Sequence, residues 1–127
     1  TPNITPHKFF LSKNKGLTRF PYFWEDDIEM YSPTPSFSLS DPKYHMSGLK
    51  IFNFHPIHIV LNSSDIANYY ACKSTVDLNS ASLSSLEKFI SSSPGTGTFF
   101  DEFIHFIKNK LKSNGLTITD LAQKYGV

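Results

Sequence analysis

The apolar positions of this chain follow two patterns: short aromatic runs in the first half and helical spacing in the second. Leu49 to Phe54 is apolar on both faces apart from Lys50 and Asn53. That pattern suits a strand covered on both sides, as in a parallel α/β sheet. Pro56 has no N–H to give to a ladder, so regular pairing is expected to stop near it. His55 is then left at the carboxyl end of the strand. Leu17 to Trp24 reads as a second, shorter aromatic strand, with Glu25, Asp26 and Asp27 directly after it. In the second half, Phe100, Phe103, Ile104, Ile107 and Leu111 form one apolar stripe at helical spacing. Thr98 to Asp101 supplies a cap and a first-turn acid. Lys108, Lys110 and Lys112 lie toward the other end, and Gly115 is placed as the stop. Leu83, Leu86 and Ile90 mark a shorter helix that carries a capping-box match, Ser84 to Glu87. Pro94 to Gly97 reads as a turn. Thr119 or Asp120 is placed to cap a last helix running to Tyr125.

The remaining segments are irregular. Residues 1–16 carry two prolines and a basic turn, Lys13 to Gly16, and read as a flexible start. Residues 31–48 are rich in Ser and Pro, with Ser32-Pro33, Thr34-Pro35 and Asp41-Pro42, which is loop chemistry. Long loops inside compact domains tend to bind or cover ligands. The order is strand, loop, strand, helix, helix and short terminal helix. Asn-Gly hairpin signals are absent, so the pattern predicts an α/β fold with parallel strands. Two or three strands make a thin sheet, better suited to a place in a larger barrel.

Composition narrows the field. The 127 residues allow one domain and no second core. Aromatics are 15% of the chain, twelve of them Phe, so there is ample material to bury. Twelve basic and eleven acidic residues give a net charge of +1, with no block pointing to nucleic acid or an anionic membrane. No run reaches membrane-spanning length and no leader is visible. The lone Cys72 excludes an internal disulfide framework. The compartment is not assigned by these features, with the cytoplasm slightly favoured.

Three groups of residues carry candidate chemistry. His55 at a strand end occupies the place where α/β folds keep catalytic groups. An ordinary loop histidine fits the same pattern. His55 and His58 are three apart and point to opposite faces of a regular strand, so a shared metal would need Pro56 to bend the chain. Adjacent carboxylates at Glu25, Asp26 and Asp27 repel, which tends to raise one pKa and suits acid or base work. A solvated turn, or caps for a helix starting near Ile28, explains them equally. Tyr22 and Trp24 beside these acids suit the wall of a sugar site; core packing is their other reading. His7 reads as a solvated residue near the start, His45 as a loop residue, and His105 as one member of a surface pair with Asp101.

Ordered along the chain, these residues resemble a known family. Arg19-Phe-Pro-Tyr22 is similar to the Arg-x-Pro-Tyr motif of the polysaccharide deacetylases, the NodB-homology group. Phe52-Asn-Phe-His55 resembles their later motif, which ends in a histidine. Phe23 to Asp27 followed by His55-Pro-Ile-His58 is most similar to the WbmS-like branch, linked to surface polysaccharide synthesis. Gly97 to Phe100, the helix after it, and Leu116 to Ala122 resemble the family's closing segment. The resemblance covers residues 17–125. It implies a distorted (β/α) barrel of which this chain is the carboxyl-terminal part, and metal-dependent removal of an acetyl group from an N-acetylated sugar. It makes His55 the acid that protonates the leaving amine and Arg19 the residue that braces the catalytic base. Tyr22 and Trp24 would line the substrate groove. Asp26 or Asp27 stands in for the aspartate that orients the histidine.

The family's earlier motifs, an Asp-Asp pair and a His pair, supply its base and metal ligands, and nothing before Arg19 matches them. The resemblance therefore implies a divalent metal, zinc by preference, in the full enzyme and none held within this chain, with His55 and His58 the only weak candidate ligands. A preceding segment or self-association would complete the barrel. Two other functions remain open: a carbohydrate-binding or assembly domain without catalysis, and a self-contained metal site built from Asp26, Asp27, His55 and His58.

Overall fold

A computed structural model of the chain describes residues 6–12, 15–111 and 116–126. Strands β1 (His7–Ser12) and β2 (Lys15–Arg19) form an antiparallel hairpin, with His7 opposite Arg19 and a register irregularity between Phe10 and Ser12. This corrects the expectation that the strands are all parallel. Only two residues separate β1 from β2, and a link that short can join strands only antiparallel. A strand thus lies within the segment expected to be an irregular start. Strands β3 (Trp24–Glu25) and β4 (Phe52–Asn53) do pair in parallel, Trp24 opposite Phe52 and Glu25 opposite Asn53. The Phe23 N–H extends the contact by donating to Ile51 O at 2.8 Å. The described residues mix helix and strand, which is compatible with α/β; their strands form two separate two-stranded sheets.

The α-helices among the described residues are α1 (Asp26–Met30), α2 (Pro56–Val60), α3 (Ile66–Thr75), α4 (Leu83–Leu86), α5 (Thr96–Phe106) and α6 (Ile118–Tyr125). Helix α5 widens into a π turn over Ile107–Leu111. The local reasons are capping residues. Ser82 caps α4 by accepting from Ser85 N, two residues before the predicted cap. Thr117 and Asp120 form a reciprocal capping box on α6. Asp65 caps α3, accepting from Asn68 N at 2.9 Å. Helix α3 was not expected, because its only fully buried side chain is Cys72 and its sequence shows no clear apolar stripe. Gly115 and Lys112, read as the end of the long helix, lie outside the described residues.

Two clusters form the core. The larger gathers Trp24, Met30, Phe37, Leu39, Tyr44 and Phe99, with Phe52, Phe54, Phe103 and Phe106 packed against them. Phe99, not Phe100, is fully buried. The face of α5 that meets the larger cluster runs through buried Phe99 and half-buried Phe103 and Phe106; it shares Phe103 with the predicted stripe and is turned toward Phe99, although Phe100 still meets Phe54 edge-on at 5.1 Å. Both stripes have helical spacing, and anchoring at the helix start chooses between them. Thr96 donates its N–H and its hydroxyl to Ser63 O at 2.8 and 3.1 Å, which sets the rotation of the helix. The segment 31–48 is not a free loop. Phe37, Leu39 and Tyr44 are buried, and Lys43 holds Glu29 at 2.8 Å. The second cluster, Leu61, Cys72 and Leu86, lies under α3 and α4.

Asn62 ties α2 to α5. Its side chain accepts from Thr98 N at 2.9 Å and donates to Ser91 O and Ser93 O, each at 2.9 Å. Gly95 approaches this corner so closely that a methyl there would overlap Asn62 O and come within 2.7 Å of Ser63 O. Substituting Gly95→Ala is expected to cost about 1–3 kcal/mol by overpacking, read as a lower urea midpoint. A midpoint equal to that of the parent protein would show that the corner is loose.

Candidate active site

The parallel pairing of β3 with β4 brings two chain segments side by side at their carboxyl ends. Asp26 follows β3 and opens α1; His55 comes two residues after β4 and precedes Pro56 at the start of α2. In open α/β sheets the crevice beyond such strand ends is where ligands bind. Here it holds a carboxylate and an imidazole. His55 Nδ1 lies 2.6 Å from Asp26 Oδ1, and His55 N donates to Asp26 Oδ2 at 2.7 Å. Asp27 N adds a third donor to Oδ1 at 2.9 Å. Asp26 is fully buried, whereas the His55 side chain is 41% exposed. Because the carboxylate can only accept, the Nδ1–H points at Asp26 and the other ring nitrogen is left for chemistry.

The charges follow from this arrangement. The hydrogen bond to Asp26 raises the pKa of His55 above that of an ordinary histidine, against the opposing effect of burial. His58 behaves the other way. It is buried on α2, its Nδ1 sits 3.1 Å from Ser63 Oγ, and burial pushes its pKa down. The two imidazoles stand nearly perpendicular with centroids 5.9 Å apart, and Tyr69 meets His58 edge-on at 4.8 Å. A neutral His58 beside a chargeable His55 avoids two cations side by side.

The other predicted site residues are placed as follows. Asp27 lies beside the pair, with its Oδ1 buried and without a hydrogen-bond partner. Arg19, Tyr22 and Glu25 line a neighbouring hollow of about 300 Å³ together with Ile28 and Glu29. Arg19 makes no ion pair among the described residues and does not reach Asp26. Tyr22 is exposed. Trp24 contributes to the same hollow, yet its ring is buried between Phe37, Phe54 and Phe99. Most of its bulk therefore packs in the core, with only a small part left on the hollow. Ser63 and Asn62, which hold the frame of α2, were missed. Neither lies in a recognisable motif; Asn62 acts through partners about 30 residues away, and Ser63 through both nearby His58 and distant Thr96.

Among the described residues, two sets of side chains present donor atoms within 4.8 Å of one another and could hold a metal ion: Asp26, His55 and His58, and Glu25, Asp27 and His55. The first set is already engaged, Asp26 by three donors and His58 by Ser63. The second fits a cation better. Asp27 Oδ1 is an orphaned acceptor, Glu25 is steadied by Asn53 Nδ2 at 2.7 Å, and a carboxylate stands behind the histidine.

A model of the WbmS-like polysaccharide deacetylases matches residues 1–73 of the chain. No curated protein and no solved structure matches it.

Removing the carboxylate charge should expose the coupling. In Asp26→Asn the His55 titration midpoint, followed by NMR, is expected to fall to or below the ordinary histidine value of about 6.5; an unchanged midpoint would sink this electrostatic account. Stability should respond to pH in two opposite ways. The raised pKa of His55 makes its contribution complete below the unfolded value and lost as pH rises through the folded one. The lowered pKa of His58 makes its contribution complete above the unfolded value and lost as pH falls through the folded one. Urea midpoints across pH are therefore expected to decline on both sides, with His58→Gln selectively flattening the acid side.

Proposed function

The chain belongs to the WbmS-like family of polysaccharide deacetylases, and on that premise we propose that it serves the removal of an acetyl group from an N-acetylated sugar, with His55 as the proton donor. The family places its function among deacetylase-related activities. The finer reading rests on one observation, the 2.6 Å contact between His55 Nδ1 and the buried Asp26 at the ends of two parallel strands. Hydrolysis of the amide needs water added to the carbonyl carbon and a proton delivered to nitrogen as the C–N bond breaks. An amine leaves poorly without that proton. A protonated His55, its Nδ1–H held by Asp26, carries a second proton on the other ring nitrogen, where the sugar nitrogen can take it. Asp26 fixes the ring orientation and stabilises the imidazolium without itself taking the proton. His58 stays neutral behind the pair. Tyr22 and Arg19 beside the adjacent hollow would contact the sugar chain.

A divalent cation, zinc by preference, would supply a polarised carbonyl and an activated water when bound. On this reading its ligands and the general base come from sequence outside these 127 residues, and the whole forms a distorted (β/α) barrel. A second reading is favoured by the orphaned Asp27 Oδ1: Glu25, Asp27 and His55 hold the cation themselves, with Asp26 behind the histidine. The two readings exclude each other at His55, because a nitrogen that ligates a metal cannot carry a transferable proton.

Acetate release from an N-acetylglucosamine oligosaccharide by the zinc-loaded intact gene product tests the first reading. His55→Ala is expected to lower kcat about 10²- to 10⁴-fold. The parent rate should fall as pH rises through the raised His55 pKa, where the acid form disappears. Full activity in His55→Ala would overturn the assignment. Stoichiometric zinc binding by this chain, lost in both Asp27→Asn and His55→Ala, would replace it with the second reading.

A further inference from the structure

A second hollow, of about 470 Å³, shares no lining residue with the cluster around His55. The segment that leads into β4 and the last turns of α5 form its walls. Tyr44, Phe52, Phe103, Phe106 and Ile107 make them apolar. Of these only Tyr44 is buried; the others are half-buried and keep apolar surface open. Small-molecule sites commonly take this form, an apolar hollow of about 300–1,000 Å³ with a few polar groups at its edge.

The polar edge is one-sided in charge. Lys50 and His45 line the hollow, and no carboxylate does. The Lys50 ammonium donates to Met46 O and lies 5.6 Å from the centre of the Phe23 ring. It forms no ion pair among the described residues, and two of its three N–H donors are left over. His45 is held at the same edge, its Nε2 2.6 Å from Leu39 O. Glu102, one position before Phe103, is engaged by Leu39 N, which donates to it at 3.2 Å. Two backbone features mark the same place. Gly48 has φ +116°, which other residues rarely adopt, and no atom lies within 4 Å of where its Cβ would stand. Helix α5 widens into its π turn at Ile107, and such turns gather at functional sites.

We propose that this hollow binds a single-chain aliphatic carboxylate, a fatty acid, with its tail among the phenylalanines and its head on Lys50. Tail methylenes gain by leaving water for the apolar walls. The carboxylate gains charge-assisted hydrogen bonds from the spare ammonium donors. A monoanion matches the one permanent positive charge at the edge. A neutral lipid would leave that charge unanswered, and a cationic one would be repelled by it. Met46, exposed at the edge and unbranched, can pack along a flexible chain. This binding is independent of deacetylation, because the hollow and the His55 cluster have no residue in common.

Calorimetry on the intact gene product, with decanoate kept below its micellar concentration, tests this. One decanoate is expected to bind per chain, and acetate, the head alone, to give no heat. Octanoate should bind about tenfold more weakly, because two fewer methylenes are buried. Lys50→Met keeps the stem and removes the charge; it is expected to raise the decanoate Kd about tenfold and to leave that of 1-decanol unchanged. Met46→Glu, which sets a carboxylate against the head, should weaken decanoate at least as much. Both side chains stand at the edge of the hollow, so urea midpoints equal to the parent's are expected and separate lost binding from unfolding. Absence of decanoate binding, as when another segment of the gene product fills the hollow, would overturn the proposal. Binding that neither substitution alters would overturn it too, by placing the ligand elsewhere. Equal Kd values for decanoate and 1-decanol would remove the role of Lys50 and the carboxylate with it.

Discussion

A charged carboxylate fully removed from water is tolerated only when its oxygens are met by donors. Asp26 meets that demand with three: the backbone of Asp27, and the backbone and ring of His55. Removing one partner from a buried ion typically costs about 3–5 kcal/mol, so the demand fixes where the donors must be. One carboxylate thereby holds the first turn of α1 against the start of α2 and keeps the two parallel strand ends together. The same bonds determine which ring nitrogen of His55 points outward. Structural need and chemical function thus share one interaction.

The aromatic core supplies the floor beneath this pair. Trp24 sits one residue before β3 ends, and its ring centroid is within 5 Å of those of Phe54 and Phe99. Phe54 immediately precedes His55. Packing of these rings therefore positions the backbone that leads into Asp26 and into His55. Truncation at Trp24 would leave a void worth about 3–5 kcal/mol among Phe37, Phe54 and Phe99. The corner at Asn62 and Gly95 acts on the opposite end of α2, so that the short helix carrying His58 is held at both ends.

Burial treats the two histidines differently, and the difference is useful. His55 keeps contact with water and gains a carboxylate, which favours its charged form. His58 loses water and gains only a hydroxyl, which favours the neutral form. Similar side chains three residues apart thus separate into a proton carrier and an uncharged neighbour.

The sequence by itself determined a good deal of this. The apolar run before His55, ended by Pro56, was enough to predict a strand closing on a histidine, because a proline cannot continue a ladder. The ordered motifs from Arg19 to His58 were enough to indicate the family. The amphipathic helix near residue 100 was legible as well, since its spacing is local. Tertiary structure decided the rest. Which of Asp26 and Asp27 meets His55 depends on strand register and the first turn of α1, neither visible in two adjacent identical residues. Whether Trp24 faces substrate or core was open until Phe54 and Phe99 closed around it. The rotation of α5 awaited Thr96 on Ser63, and the helix Ile66–Thr75 lacked a stripe strong enough to announce it. Local pattern encodes periodicity and caps; which side chains meet across the fold is set by contacts between segments, such as the 29-residue separation of Asp26 from His55, that no local window contains.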